Sequence, residues 1–483
     1  MTETTWGATG QPRLRRDAVG LTGAVVMSAA IMGPAVSTFF NPQFSTPFSG
    51  EATPFVYLAC LVAILVVSSG IVEMARELPS AGAFYTYVSR GLGPRAGFVT
   101  GGLMFIAYAL LPPAELGLIG SYLQSTLRTE ASIDVPWWLI GLIPAGVMII
   151  LAVEGIQASL RTALILFATE VTVVALLAII VVGHGGHSGL SLRPLSPTAS
   201  PHGFRGLATG FVFAALSFVG FEAAATLGDE VRDPRRLVPR AILASSALVG
   251  LIYVFCVWAE VNGLGVAATN RLNGASTPWN DLAATYASWL KWPVIVASVS
   301  SMFAVMINSA NGIARILNTM AREGLLPRSL AAVDRRRLTP TRATLATGLF
   351  AIGCALAVGA TSGGLDDPAG GSNVYGYLGF LLTLGVLPVY ALTNLAAARY
   401  FARVGRFGVV RHGLLPIAGT ALMAALLVGQ IAEQTAAPYT WLPWAIVVWV
   451  AAVALGALWL ARARPHQLRR AGAVLAADVS PGL

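Results

Sequence analysis

The sequence predicts an all-α membrane protein with twelve transmembrane helices, from its composition and from the spacing of its apolar runs. Of the 483 residues, 56% are hydrophobic and only 11% are charged, and the mean hydropathy is +0.72. A soluble domain needs a more charged surface, whereas a bilayer solvates apolar helices of about 20 residues each. Twelve such runs, numbered here as spans one to twelve, lie at 18–40, 53–72, 96–123, 136–153, 160–183, 206–228, 240–262, 292–320, 343–360, 374–400, 413–431 and 440–461.

The distribution of basic residues predicts the orientation of these spans. With the N-terminus in the cytoplasm, 26 of the 31 Lys and Arg residues fall in cytoplasmic segments, as the positive-inside rule expects. The net charge of +9 therefore reflects topology, and no nucleic-acid partner is predicted. The predicted organisation is a cytoplasmic arm (1–17), a twelve-span domain (18–461) and a cytoplasmic tail (462–483), in a multi-pass protein of the cytoplasmic (inner) membrane.

The spans show no catalytic or metal-binding pattern. Cys60, Cys256 and Cys354 all fall inside them, where no disulfide is expected, and the spans contain no HExxH sequence and no pair of His ligands. We therefore expect no enzyme activity, no metal and no cofactor.

Span one contains a predicted break. Gly33 and Pro34 lie beyond the middle of its apolar run, and a proline lacks an N–H and disfavours helix at the preceding residue. The carbonyls before the break and the amides after it, those of Ala35 and Val36, should therefore lack helical partners. Such groups can coordinate a solute near the bilayer midplane, although a simple proline kink is the alternative.

Span six has a second predicted break at an equivalent place. Gly220 lies in mid-span between two phenylalanines, and the acid Glu222 follows. Spans one and six are related by five spans, which is typical of an inverted five-plus-five repeat. Repeat one would comprise residues 18–183 and repeat two residues 206–400, with 413–461 as peripheral helices.

Three motifs resemble those of the amino acid, polyamine and organocation (APC) superfamily of secondary transporters. They are EMARELPSAGAFYTYVSRGLG at 73–93, FVGFEAAATLGDEVRDPRRLVPRAI at 218–242 and SANGIARILNTMAREGLLPRSLAAV at 309–333. The resemblance implies a five-plus-five inverted-repeat (LeuT-like) core in spans one to ten, with spans eleven and twelve outside it. It also implies alternating access around a central site.

The same resemblance implies where a substrate binds. An α-carboxylate would meet the amides of the first break, and an α-ammonium would meet the carbonyls of both breaks. Carried over by position, the substrate-binding residues are Ile31, Gly33, Pro34 and Ala35 on span one and Leu216, Ser217, Phe218 and Val219 on span six. Family members commonly read G-S-G where this chain reads Gly-Pro-Ala, and Pro34 cannot donate a hydrogen bond. Carboxylate binding should then shift to Ala35 and Val36, or the substrate is not a plain α-amino acid.

Three acids at bilayer depth are candidates for coupling or gating, because an ionisable group there is costly to keep. Glu222 matches a position that the family uses for proton-linked gating, with a helix-structuring acid as the alternative. Glu115 follows two prolines in span three and could be a cavity counter-ion or could satisfy loosened backbone. Glu170 stands in span five where many proton-coupled relatives carry a Lys, and could carry the proton or be structural. Ser298, Ser300 and Ser301 lie near the level where sodium-coupled relatives place hydroxyl ligands.

Together these features predict a secondary active transporter that imports an amino acid with a proton. The alternatives are a polyamine or organocation carrier, an amino acid/amine exchanger and, from another class, a polytopic membrane enzyme or receptor. The expected partners are a small-molecule substrate and the lipid bilayer, and the coupling ion is a proton, with sodium as the alternative. The sequence leaves homo-oligomerisation open.

Overall fold

The structure is a computed structural model that describes residues 19–463 except 81, 155, 229, 273–276, 323, 335–336, 338 and 433–436, and omits the side chains of 156–160. The predicted N-terminal arm and the tail beyond residue 463 lie outside the described residues. Eleven helical segments in the described part are long and apolar enough to cross a membrane, and a shorter apolar helix, Gly203–Leu216, occupies the remaining predicted run. The all-α fold class and its twelve spans are therefore confirmed.

The spans lie close to the apolar runs that predicted them. The first five are Leu21–Phe39, Thr53–Glu77, Pro94–Ala131, Trp137–Glu154 and Ile156–Gly183. The next five are Gly203–Leu216 with the 3₁₀ turn Ala223–Leu227, then Pro234–Leu264, Lys291–Arg322, Thr341–Ser362 and Pro368–Arg403. The last two are Leu415–Ala432, preceded by the π-helical turn Val409–Leu414, and Leu442–Ala463.

Shorter helices connect the spans. Pro42–Ser49 extends span one, and Ala83–Leu92 follows span two. Between spans seven and eight lies a connecting helix, Pro278–Tyr286, followed by the 3₁₀ turn Ser288–Leu290. Several of these helices begin at proline, because the first helical position needs no N–H donor.

Burial distinguishes the core from the periphery. In the most apolar stretch of span one 78% of the residues are buried, compared with 11% in the corresponding stretch of span twelve. Span seven packs along span two, span eight along span five and span ten along span three. Spans one and six therefore lie in the interior, where their breaks are enclosed by the other spans of the core.

Candidate functional site

The break in span one is a single residue wide. The first helix ends at Met32, Gly33 has a left-handed φ of +56°, and a new helix begins at Pro34 and runs to Phe39. Glycine suits this position because it adopts positive φ without a Cβ penalty. The break thus lies where Gly33 and Pro34 predicted it, and only Gly33 is outside a helix.

Two side chains from other spans accept hydrogen bonds from the backbone amides that the break leaves without helical partners. The N–H of Ala35 donates to Oε2 of Glu170 at 3.1 Å, and the N–H of Val36 donates to Oγ of Ser301 at 3.1 Å. Glu170 is fully buried in span five, and its Oε1 has no partner. A carboxylate of the protein itself therefore occupies the position where the resemblance placed a substrate carboxylate.

Span six is unwound over a longer stretch. From Ser217 to Glu222 the backbone leaves the α-helix, and its hydrogen bonds join residues three apart, such as Phe221 N–H to Phe218 O at 3.2 Å. Gly220 has a φ of +102°, and a Cβ built on it would lie 2.2 Å from Cγ2 of Ile31. The predicted break in span six is present, and the two breaks face each other at this contact.

A phenol joins the two breaks. The Tyr253 hydroxyl on span seven lies 2.5 Å from the carbonyl oxygen of Met32 and 2.9 Å from that of Ser217. Oγ of Ser37 also donates to the Met32 carbonyl, at 2.6 Å. Because one O–H donates one strong hydrogen bond, these two carbonyls share the phenol and keep spare acceptor capacity for a cationic ligand.

A buried polar cluster continues from this point. The Ser217 hydroxyl lies 3.0 Å from both Asn41 Nδ2 and the Tyr57 hydroxyl, and Tyr375 donates to Asn41 Oδ1 at 2.7 Å. The ring of Phe218 packs edge to face against Tyr253, with centroids 5.2 Å apart. The cluster combines hydroxyl groups with aromatic faces, which are the features that bind an ammonium group.

The predicted binding residues differ in where they lie. Ile31, Gly33, Ala35, Ser217, Phe218 and Val219 are all buried at or beside the breaks. Leu216 is only half-buried in the last turn of its helix, and its carbonyl accepts the Val219 amide at 3.1 Å. The Pro34 carbonyl accepts from the Thr38 hydroxyl at 2.7 Å. Leu216 and Pro34 thus use their carbonyls within the chain. The substrate-binding roles of all eight residues remain predictions.

Glu222 is held on both oxygens by tyrosines. Tyr108 of span three donates to Oε1 at 2.8 Å, and Tyr390 of span ten donates to Oε2 at 2.7 Å. The side chain is fully buried. Glu222 therefore links the broken span six to spans three and ten, whereas Glu170 keeps one oxygen unpaired.

Glu115 in span three is buried, with 2% exposure, and its Oε2 has no partner. It lies close enough to Tyr375 for the two groups to interact electrostatically. A role for Glu115 in satisfying loosened backbone finds no support in its contacts, because no hydrogen bond joins it to backbone among the described residues.

A fourth buried acid without a basic partner, Glu260 in span seven, is 1% exposed and was not among the predicted candidates. Its Oε2 accepts the Trp279 indole N–H at 3.1 Å. An acid inside an apolar run was visible in the sequence and could have been included, but its partner lies in the connecting helix and only the fold shows it.

These four acids are not neutralised by basic side chains. Within the ranges that the structure describes, none of Glu115, Glu170, Glu222 and Glu260 forms an ion pair. The one ion pair that the structure records with both side chains buried joins Arg315 of span eight to Glu230 just after span six, at 2.5 Å. The centre of the described core is therefore rich in acids.

That ion pair belongs to a closure at one face of the protein, the face where span one begins. Val19 and Val231 form a parallel β-bridge, with the Val19 N–H donating to the Glu230 carbonyl at 3.1 Å. At the opposite face, the buried ring of Trp279 stacks on Phe39, with centroids 4.7 Å apart. Contacts at both faces thus enclose the two breaks.

The serines considered for sodium have different partners. Oγ of Ser298 donates to the Val294 carbonyl at 2.9 Å, and Oγ of Ser300 donates to the Ala297 carbonyl at 3.0 Å. Oγ of Ser301 accepts the Val36 amide. Only Ser301 thus contacts the first break.

Comparison with known proteins agrees with this architecture. The sequence model of the amino acid permease family matches residues 48–463. The low-affinity putrescine importer PlaP of Escherichia coli is 23% identical over 343 residues, covering 70% of this chain and 74% of that protein. An uncharacterized transporter of Mycobacterium tuberculosis is 29% identical over 433 residues, covering 85% and 89%. The branched-chain amino acid permease BcaP of Lactococcus lactis is 26% identical over 330 residues, covering 64% and 69%.

The family and these relatives are transporters and not enzymes, so a small-molecule substrate and a bilayer environment follow from membership. The match covers most of the chain and includes the broken span six, whereas span one, Leu21–Phe39, lies before the matched residues. The chain belongs to the amino acid permease family of the APC superfamily, as a multi-pass membrane transporter.

Proposed function

We propose that this permease carries a small organic cation, an amine without an α-carboxylate, together with a proton. The observation that carries the proposal is the hydrogen bond from the Ala35 amide to the Glu170 carboxylate. The sequence analysis placed an amino acid first and an organic cation second, and this contact favours reversing that order.

The first argument concerns the anion site. In a break that reads Gly-Pro-Ala, the residue Pro34 has no N–H, so Ala35 and Val36 supply the nearest free amides. Those amides already donate to Glu170 and Ser301. A substrate carboxylate would have to displace Glu170 and bring a second negative charge close to it, whereas an amine requires neither.

The second argument concerns charge. Four buried acids lie in the described core without a basic partner, and two of them, Glu170 and Glu222, lie at the breaks. A buried charge is costly unless it is paired or neutralised. Bound protons and a cationic substrate would both reduce this cost. The carbonyls of Met32 and Ser217 and the rings of Tyr253 and Phe218 add acceptors and aromatic faces for an ammonium group.

An amino acid substrate is the second candidate. If Glu170 is protonated, it is neutral, and a substrate carboxylate could then replace it at the Ala35 amide. The branched-chain amino acid permease among the relatives favours an amino acid substrate, and the putrescine importer favours an amine.

The proposed coupling ion is a proton on Glu170. The unpaired Oε1 of this buried side chain can hold a proton in the closed state, and movement of span one would bring water to it. Sodium is the alternative, with Ser301 as its one candidate ligand at the first break. The arginine distribution supports an orientation in which both termini lie in the cytoplasm.

The test uses substrates that differ only in a carboxylate. Purified protein in proteoliposomes would be assayed for uptake of labelled cadaverine and lysine, and of isoamylamine and leucine, with an inward pH gradient and without one. We expect each amine to be taken up in preference to its amino acid, and only with the gradient. Preference for the amino acid of each pair would transfer support to the second candidate. Uptake that follows a sodium gradient at equal pH would overturn proton coupling.

A further inference from the structure

Glu260 has an unusual environment for a carboxyl group. It is 1% exposed near the end of span seven, its Oε1 has no partner, and its Oε2 accepts only from the Trp279 indole at 3.1 Å. Its partner lies in the helix Pro278–Tyr286 between spans seven and eight, and the Ala35 and Val36 amides donate to Glu170 and Ser301 and not to Glu260. The proposed transport of an amine does not use it.

Trp279 connects Glu260 to the second half-helix of span one, Pro34–Phe39. Its indole N–H also points at the carbonyl oxygen of Thr38, at 3.0 Å, and its ring stacks on Phe39. Both residues belong to the half-helix that begins after the break at Gly33. Glu260 and this half-helix therefore share one indole N–H, at the face opposite to the Val19–Val231 bridge.

We propose that Glu260 is a second proton-binding site of this transporter and that its protonation closes the face covered by Trp279. In the closed arrangement the carboxyl is dry and has no cation beside it, so the neutral acid is the form that fits. Loss of the proton leaves a buried charge with a single hydrogen bond. That charge is relieved if Trp279 moves away and water enters.

The sign of the effect follows from this arrangement. A low pH at the Trp279 face protonates Glu260 and stabilises the closed gate. A high pH ionises it and stabilises the open gate. A proton taken from that side would thus permit closure, as a transporter that couples to protons requires.

Few other titratable groups face Glu260. Tyr57 of span two and Cys256 of span seven lie close enough to interact with it electrostatically. Other titratable groups on the elements packed against it include Tyr253 on span seven, Cys60, Glu73 and Glu77 on span two, Glu170 and His184 on span five, and Asp281 and Tyr286 on the connecting helix. Asp281 and Tyr286 are partly exposed, and the Tyr286 hydroxyl donates to the Gly263 carbonyl at 2.9 Å. The arginines on these elements are Arg193, which pairs with Glu51 at 3.6 Å, and Arg76, Arg161, Arg235, Arg236 and Arg240, which lie at the opposite ends of spans two, five and seven. None of them forms an ion pair with Glu260 in the part of the chain that the structure describes.

The chain contains a reporter for this gate. Cys256 is buried four residues before Glu260 and so lies on the same face of span seven. In a protein with Cys60→Ala and Cys354→Ala, a membrane-impermeant thiol reagent applied at the Trp279 face would label Cys256 only when that face opens. The measurement needs no substrate, so its outcome is independent of whether the substrate is an amine.

The comparison is between Glu260 and the variant Glu260→Gln, which keeps a carbonyl oxygen for Trp279 but cannot ionise. Labelling rates would be measured between about pH 5 and 8, and the rate for the parent protein would be divided by the rate for Glu260→Gln, which removes the pH dependence that the thiol has in both proteins. Ionised Glu260 lies close enough to Cys256 to repel its thiolate, and this repulsion would lower the ratio, so it cannot imitate opening of the Trp279 face. We expect this ratio to rise with pH, by up to about tenfold per unit where Glu260 titrates. A constant ratio, or no labelling of Cys256 at any pH, would overturn the proposal.

Trp279→Phe provides a second variant that keeps the stacking on Phe39 but removes the N–H donor. It should raise labelling at every pH, because Thr38 and Glu260 both lose their shared donor. If Glu260→Gln does not fold, the labelling of Trp279→Phe still tests the proposal. Labelling of Trp279→Phe that stays at the level of the parent protein at every pH would contradict the role of the indole.

Discussion

The two breaks are built differently, although they occupy equivalent places in the two repeats. Span one changes direction at Gly33 alone and resumes a helix at once, so its free amides are few and have defined directions. Span six unwinds from Ser217 to Glu222 with bonds between residues three apart, so more of its backbone lies outside α-helical hydrogen bonding. The narrow break is suited to hold a carboxylate of the chain, and the wide break is suited to contact the substrate.

The acids beside the two breaks also differ, in how many of their oxygens accept hydrogen bonds. Glu170 receives one backbone amide and keeps an unpaired oxygen, whereas tyrosines hold both oxygens of Glu222. A carboxyl with an unpaired oxygen can gain and lose a proton with little rearrangement. A carboxyl held by two phenols instead connects three spans, and its ionisation state is tied to their positions.

The largest effect is expected where the breaks touch. Gly220→Leu should abolish substrate binding, because a Cβ at this position would lie 2.2 Å from Ile31 and the φ of +102° disfavours any side chain. Binding would be measured with labelled substrate in detergent, and folding by thermal unfolding. Gly353→Leu is the control, since no atom lies within 4 Å of a Cβ there. Transport at the parental rate in Gly220→Leu would show that the site lies elsewhere.

The two acids should respond differently to the same substitution. Glu170→Gln should eliminate accumulation driven by a pH gradient but spare counterflow exchange, because glutamine imitates the protonated form and exchange moves no net proton. Glu222→Gln should lower both activities, by roughly tenfold, since the amide group accepts only one of the two tyrosine hydroxyls.

Proteoliposomes that contain each variant would be assayed for both activities in parallel. Accumulation at the parental rate by Glu170→Gln would make Glu170 structural and would move the coupling role to Glu222, Glu115 or a sodium ion. Equal profiles for the two variants would remove the distinction between the acids.

A smaller effect is expected at the phenol between the breaks. Tyr253→Phe should weaken substrate binding by about threefold to tenfold, because the Met32 and Ser217 carbonyls lose their shared donor and the breaks are no longer tied together. Thr361→Val is the matched control, since it removes one exposed hydroxyl far from the breaks. Binding that is unchanged in Tyr253→Phe would mean that the ligand alone holds the breaks together.

The smallest effect is expected outside the spans. Asp134 accepts hydrogen bonds from Arg128 and Gln124, and these contacts lower the pKa of its carboxyl. A lowered pKa stabilises the fold above the usual range of aspartate and loses that contribution as the pH falls through the lowered value. Asp134→Asn should therefore lower the thermal unfolding temperature slightly at pH 7 and not at about pH 2, with transport unchanged. A loss of transport would place this loop in the mechanism.

The sequence by itself determined the architecture, because hydropathy depends on composition and not on which spans meet. The twelve apolar runs became the twelve spans, and Gly33 with Pro34 located the first break, since a missing N–H acts locally. Gly220 located the second break for a similar local reason.

Only the tertiary structure decided which groups fill these breaks. Glu170 is separated from Ala35 by 135 residues, and nothing local to either position predicts that the carboxylate accepts that amide. Glu260 was not predicted as a site residue, because its partner Trp279 lies in a connecting helix. The role of a polar residue in a span depends on the donor or cation beside it. Hydrogen bonds and uncompensated charges between distant segments depend on how the spans pack, and the order of residues along the chain does not specify them.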